Sequence, residues 1–280
     1  MKIGLIAGGG DLPKNVVSGA REARHDIEII AIEDFATAED FDQDVHSASI
    51  GEFGKIVKTL KKENCTHVCF AGYIKRPNFL TMKRDLKGMM KLPGAALAAR
   101  RGDSALLEYV LKIFEDEGFS VIPPQDLCAE LLLGEGHLGA VTLTSPHMDD
   151  AQKACEIASN IATLDIGQSA IVCRGLVLAV EAQEGTDAVI DRVLSLPEDI
   201  RGSKVKPEGV LAKITAPSYD SRVDLPTIGV ETVLRAQSAG LAGIVAESGY
   251  AFVINKAAVI SAADSAGIFI AGLPPSNRKK

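Results

Sequence analysis

At 280 residues, with 46% apolar side chains, the chain is long enough for two ordinary domains with cores of their own. Its formal net charge of −7 argues against a general nucleic-acid binder, because such proteins gather positive charge to displace counterions from phosphate. Its five cysteines, Cys65, Cys69, Cys128, Cys155 and Cys173, form no CxxC pair, which fits a reducing compartment and buried apolar roles better than a disulfide framework.

Residues 3–6 read as a buried strand, 12–24 as a helix opened by Pro13, and 27–32 as a second strand. The first apolar run is too short for a signal peptide and passes straight into Gly8, Gly9 and Gly10, so a cytoplasmic location is expected. Helical patterns at 54–62 and 104–117 alternate with strands at 67–71 and 119–122, which predicts a mainly parallel, Rossmann-like sheet. Between them, 79–91 mixes Met82, Met89, Met90, Leu80 and Leu86 with Lys83, Arg84, Lys87 and Lys91. That mixture suits an ordinary amphipathic helix, or a surface meeting acyl chains and anionic headgroups. Later apolar runs are too short to span a bilayer, so any membrane contact is expected to be peripheral.

A stretch rich in Gly, Ser, Thr and Pro at 133–145 marks the domain boundary, which gives domains 1–133 and 134–280 with a substrate cleft between them. The second domain opens with a helical pattern after Pro146. Two hairpins are then expected, 170–173 with 176–180 and 243–246 with 251–254, turning at Arg174-Gly175 and Ser248-Gly249. Helices at 187–196, 230–239 and 256–266 and a strand at 209–214 complete an α/β domain with a mixed sheet.

Three loops between a strand and a helix could carry chemistry. Gly8, Gly9 and Gly10 could let backbone N–H groups approach a phosphate at a helix N-terminus, or form no more than a tight turn. Gly8 and Gly10 match two positions of a dinucleotide fingerprint and Glu33 lies where a ribose-binding acid should, but Pro13 stands at the third glycine. In the second loop, Glu181, Glu184 and Asp187 around Gly185 and Thr186 could hold a hard divalent cation, or be solvated acids beside a capped helix. The third, Arg-Val-Asp-Leu-Pro-Thr-Ile-Gly at 222–229, holds Asp224 in a stiff turn before a helix, with Lys213 at the end of the preceding strand. Asp224 could serve a metal-bound water while Lys213 neutralises phosphate charge, or it could bind nearby N–H groups and pair with Arg222. Gly72, Tyr73, Lys75 and Arg76 add a donor-rich loop at the ligand edge of the first domain. No HExxH pair, nucleophile elbow or P-loop occurs, which removes zinc-protease, serine-hydrolase and P-loop readings.

IAGGGDLP at 6–13, IGEFGKI at 50–56, FAGYIKRP at 70–77, LDIGQ at 164–168, VLAVEAQEGTDA at 177–188 and RVDLPTIG at 222–229 together resemble the LpxI family, in this order and over nearly the whole chain. The resemblance implies a two-domain, Mg2+-dependent enzyme that hydrolyses UDP-2,3-diacylglucosamine to UMP and 2,3-diacylglucosamine 1-phosphate (lipid X), with water attacking the α-phosphorus. It implies a homodimer with a possible place at the cytoplasmic face of the inner membrane. The family's essential aspartate falls on Asp224, as metal ligand or general base, with Glu184 and Asp187 as further candidate ligands. The resemblance further implies Gly9, Gly10, Gly72, Tyr73, Gln168, Gly185, Thr186 and Lys213 as substrate contacts. The alternatives are a Rossmann-type NAD-dependent oxidoreductase, and a nucleotide-sugar or lipid-binding protein without catalysis.

Overall fold

The computed structural model describes residues 1–75, 82–216, 222 and 225–275. The described chain forms two compact units: Met1–Glu130 with Arg222, and the remainder from Leu131 onward.

In the first unit, β1 (Lys2–Ala7), α1 (Leu12–Glu22), β2 (Asp26–Ile32), β3 (His46–Ala48), α2 (Phe53–Lys62), β4 (His67–Ala71), α3 (Leu86–Ala99), α4 (Asp103–Asp116) and β5 (Ser120–Ile122) follow in order. The sheet runs β3-β2-β1-β4-β5 and every pair is parallel, as the alternating strands and helices predict. Its central strand is continuously apolar because both faces are covered, with Ile3 and Leu5 fully buried. Phe114 of α4 packs edge-on against Phe53 of α2 and Phe70 of β4, each at 5.2 Å between ring centres, and so ties two helices to the sheet. The three-residue strand β3 carries too little pattern to announce itself in sequence.

Asp85 caps two helices at once. Its carboxylate accepts from Gly88 N–H at 2.7 Å, at the start of α3, and from Lys55 N–H at 2.7 Å, in the first turn of α2. Burial pushes its pKa up, but the N–H donors of Gly88, Lys55 and Gly54 outweigh that and hold the carboxyl below its ordinary value of 3.8. A depressed folded-state pKa means that the stabilisation is complete above 3.8 and fades as pH falls through the lower folded value. Asp85→Asn keeps one acceptor oxygen where two are used, leaves one N–H donor opposite an NH2 group, and is expected to cost about 1–2 kcal/mol at neutral pH. In chemical denaturation followed by circular dichroism, the gap to the parent protein should narrow below pH 3.8; a gap that stays constant with pH would show the carboxylate to be incidental.

The second unit contains β6 (Gly136–Leu138), α5 (Ser145–Thr163), β7 (Ser169–Cys173), β8 (Leu176–Val180), α6 (Thr186–Leu194), α7 (Glu198–Arg201), β9 (Val210–Lys213), β10 (Thr227–Ile228), α8 (Val230–Ser238), β11 (Gly243–Glu247), β12 (Phe252–Val253), α9 (Lys256–Ala266) and β13 (Phe269–Leu273). Its main sheet, β6-β13-β11-β9-β7-β8, is mixed as expected: β13, β11 and β9 are parallel, while β6, β7 and β8 pair antiparallel with their neighbours.

The first expected hairpin forms. Arg174 and Gly175 take positive φ in its turn, and the buried Asp150 of α5 accepts both of their N–H groups at 2.7 Å, which secures a turn that its sequence only weakly specifies. The second expected hairpin does not form. β11 has both edges occupied, by β9 and β13, so residues 251–254 cannot pair with it. Instead Phe252 and Val253 pair in parallel with Thr227 and Ile228 as a separate two-stranded sheet. Alternating residues of the main sheet divide between an apolar layer containing Ile171, Leu211, Ile244 and Ile270 and another containing Val172, Val210, Val245 and Ala271.

Candidate functional site

In the first unit β1 lies between β2 and β4, so successive connections leave it in opposite directions. In open parallel sheets the crevice at the carboxyl ends of two such strands is where ligands bind. The loops that leave these two ends interlock. Gly8 N–H donates to the Ala71 carbonyl at 2.8 Å, Gly9 N–H to the Tyr73 carbonyl at 2.9 Å, and Tyr73 N–H back to the Gly9 carbonyl at 3.0 Å. Two glycines are required by this approach. A Cβ on Gly9 would lie 2.7 Å from the Tyr73 ring, and one on Gly72, where φ is +88°, would lie 2.6 Å from the Gly9 oxygen.

The expected phosphate cradle is therefore narrower than the sequence suggests. The N–H groups of Gly8 and Gly9 are spent on the neighbouring loop, which leaves Gly10 as the exposed glycine of the three. Beside it the Tyr73 ring is 61% exposed and is steadied edge-on by Phe35 at 6.2 Å. A large aromatic side chain held open at a switch-point crevice is suited to covering a planar or apolar ligand group. Glu33, at the ribose-binding position, accepts from Lys83 Nζ at 3.0 Å.

The second unit gathers its candidates at one edge of the main sheet. Ser169 and Lys213 are cross-strand partners, the Gln168 carbonyl accepts Ile214 N–H at 2.8 Å, and Glu181 N–H donates to the Ser169 carbonyl at 2.9 Å. Ser169, Lys213 and Glu181 lie two residues from Ile171, Leu211 and Ala179, and therefore on the same face of the sheet. This apolar face thus ends in three buried polar side chains. Lys213 Nζ donates to the Thr227 carbonyl at 2.8 Å. Thr186 Oγ1 donates to Glu181 Oε2 at 3.1 Å at the start of α6, where Gly185 is the N-cap with φ +83°. Gln168 and Lys213 thus lie side by side, and Thr186 is linked to them through Glu181 and Ser169, although up to 45 positions separate these residues in sequence.

Ser169 was not legible as a site residue. Its Oγ is fully buried and has no hydrogen-bond partner among the described residues, a cost that native interiors rarely leave unmet. The only sequence signal was a hydroxyl at the head of the apolar run 170–173. Glu247, equally buried at the end of β11, was missed in the same way. It lies near Cys155 of α5: burial, with Glu247 adding to it, pushes that thiol up to about 12, so it is not a thiolate nucleophile at neutral pH.

The acids proposed for metal are engaged separately. Glu184 pairs with Arg192 at 3.2 Å and Asp187 with Arg235 at 3.7 Å, while Glu181 holds Thr186. Among the described residues, no three His, Cys, Asp or Glu side chains are grouped to hold a metal ion. Asp224 lies outside the described residues. On either side of it, Arg222 pairs with Glu115 at 2.8 Å in the first unit, and the Pro226 carbonyl accepts Phe252 N–H at 2.8 Å in the second.

Residues 2–131 match the family model described as the LpxI N-terminal domain, and residues 134–271 match that described as the LpxI C-terminal domain. The UDP-2,3-diacylglucosamine pyrophosphatase LpxI of Caulobacter vibrioides is 48% identical over 277 residues, covering 99% of both chains. A crystal structure of N5-carboxyaminoimidazole synthase from Aspergillus clavatus, with ADP and 5-aminoimidazole ribonucleotide, is 14% identical over 65% of this chain and 41% of that one. Its TM-score of 0.23 is too low to carry an argument.

Proposed function

Because the chain belongs to the LpxI family, we infer that it is a UDP-2,3-diacylglucosamine pyrophosphatase, and we propose that it produces UMP and lipid X for lipid A biosynthesis with the help of Mg2+. The observation that carries this reading is 48% identity to a protein of that name across 99% of both chains. The two loop groups, around Gly10 and Tyr73 and around Gln168, Thr186 and Lys213, support it by supplying donors, a cation and an exposed aromatic ring.

In this reading a water oxygen bonds to the α-phosphorus as the bond from that phosphorus to the bridging oxygen breaks. Lipid X leaves with the bridging oxygen. Asp224 either receives the proton released by the water or holds the ion. Bound Mg2+ would offset pyrophosphate charge and lower the pKa of a coordinated water. Glu184 and Asp187 are paired with Arg192 and Arg235, so of the three candidate ligands this reading names Asp224 first for the case in which a carboxylate would hold the ion. Lys213 contributes a buried positive charge at the sheet edge, where low local dielectric strengthens its pull on phosphoryl oxygens.

Incubation with UDP-2,3-diacylglucosamine and Mg2+ in 18O-water, followed by mass spectrometry of both products, tests substrate, reaction and point of attack together. Label in UMP is the expected result. Label confined to lipid X would reverse the direction of attack, and binding without turnover would make the chain a lipid or nucleotide-sugar carrier.

A further inference from the structure

The helix α3 is amphipathic in the reverse sense. Its inward face is built from small residues: Gly88, Ala98 and Ala99 are buried. A Cβ on Gly88 would come within 1.9 Å of the Gly51 oxygen, and one on Gly94 within 2.4 Å of the Tyr109 hydroxyl. These residues let α3 sit close against its neighbours and leave no room there for larger side chains. Its large apolar residues consequently point outward: Leu86, Met89, Met90 and Leu97 are 72%, 51%, 74% and 64% exposed. At 100° per residue, these four and the exposed Pro93 fall within an arc of roughly 100°.

Charge follows the same geography. Residues 83–101 carry six basic side chains, Lys83, Arg84, Lys87, Lys91, Arg100 and Arg101, against a single acid, in a chain whose net charge is −7. That acid, Asp85, is turned inward onto the two helix starts it caps. Lys83 and Lys87 are paired with Glu33 and Glu117, but Glu117 is shared between Lys87 and Lys61, so positive charge remains in excess. A groove of about 500 Å³ beside Leu86 is lined by Lys58, Lys61 and Lys87, with Asp85 as its one acid.

From this pairing of an exposed apolar stripe with basic flanks, we propose that α3 docks the protein on an anionic lipid bilayer, lying in the interface with its stripe among the acyl chains and its lysines and arginines at the headgroups. Helices that lie in a membrane surface combine these two features, and a polybasic flank adds attraction to anionic lipid. At 14 residues α3 is about 21 Å long, and no helix among the described residues is long and apolar enough to cross a membrane, so the contact is peripheral. A second copy fits less well, since a two-fold contact through this face would oppose the same six cations to themselves. The inference is independent of the hydrolase reading.

Sedimentation of the full chain with vesicles of pure phosphatidylcholine, or of phosphatidylcholine with phosphatidylglycerol, tests the proposal. Binding is expected only with phosphatidylglycerol present and should weaken as salt is raised. Either Met90→Glu with Leu97→Glu, or Arg100→Glu with Arg101→Glu, should lower it about tenfold or more, with thermal melting unchanged because all four side chains are exposed. No binding to either vesicle, equal binding to both, or binding that survives both double variants would overturn it. So would light scattering in which the apolar variants dissociate a dimer while vesicle binding persists. Because the readout is lipid binding, it stands or falls separately from any result with UDP-2,3-diacylglucosamine.

Discussion

Asp224→Ala is expected to lower kcat by about 10²- to 10³-fold or more, the scale of losing one group that stabilises a developing charge, while KM and thermal stability change little. The expectation rests on chemistry and on the match of RVDLPTIG at 222–229, since the side chain itself lies outside the described residues. Pyrophosphate hydrolysis needs a water aligned with the scissile bond and an acid that orients it directly or through an ion. Asp224→Asn separates the two roles. Asparagine keeps an oxygen ligand but cannot take a proton, so partial activity restored by higher Mg2+ identifies a ligand, whereas loss as deep as that of alanine at all Mg2+ concentrations identifies a base. An unchanged turnover number for Asp224→Ala would remove the residue from the site.

Lys213→Met should combine a loss of stability with a loss of activity. The buried Nζ donates to the Thr227 carbonyl at 2.8 Å. The parallel pairing of β10 with β12 uses the carbonyls of Pro226 and Ile228, so the Thr227 oxygen faces the other way, toward the lysine. Removing the ammonium takes away a charged donor and is expected to cost about 1–3 kcal/mol. It also loosens the chain immediately after Asp224, and kcat/KM should fall about 10²-fold or more as the phosphoryl oxygens lose their cation. Arginine should not restore the rate, because its planar fork does not fit a contact shaped for one ammonium. A lowered Tm with kcat/KM intact would make Lys213 an anchor for β10 and nothing more.

The features that were legible in the sequence depend on neighbours a few residues apart. The helix at 256–266 emerged with both ends placed, because its pattern and terminal Gly267 are local. The apolar run at 3–6 announced β1 as a buried strand, the run at 209–214 announced the strand β9, and the ordered motif blocks identified the family. The groupings of Gly9 with Tyr73 and of Gln168 with Lys213 were only implied. Each depends on which strands lie side by side, and a strand's own pattern does not name its partner. For the same reason the turn at Ser248-Gly249 was mistaken for a hairpin when β9 and β13 already filled the edges of β11.

The chain by itself thus determined its elements, its family and the residue types offered for chemistry, because periodicity, turn residues and motif spacing are local properties. Tertiary structure alone decided that Gly10 is the exposed glycine of its loop, that Ser169 and Glu247 are buried polar groups, and that α3 turns its methionines outward. Each of these is a matter of what lies across a gap between elements distant in sequence: the Tyr73 loop against the glycines, β9 against β7, and Gly51 and Tyr109 against the small face of α3.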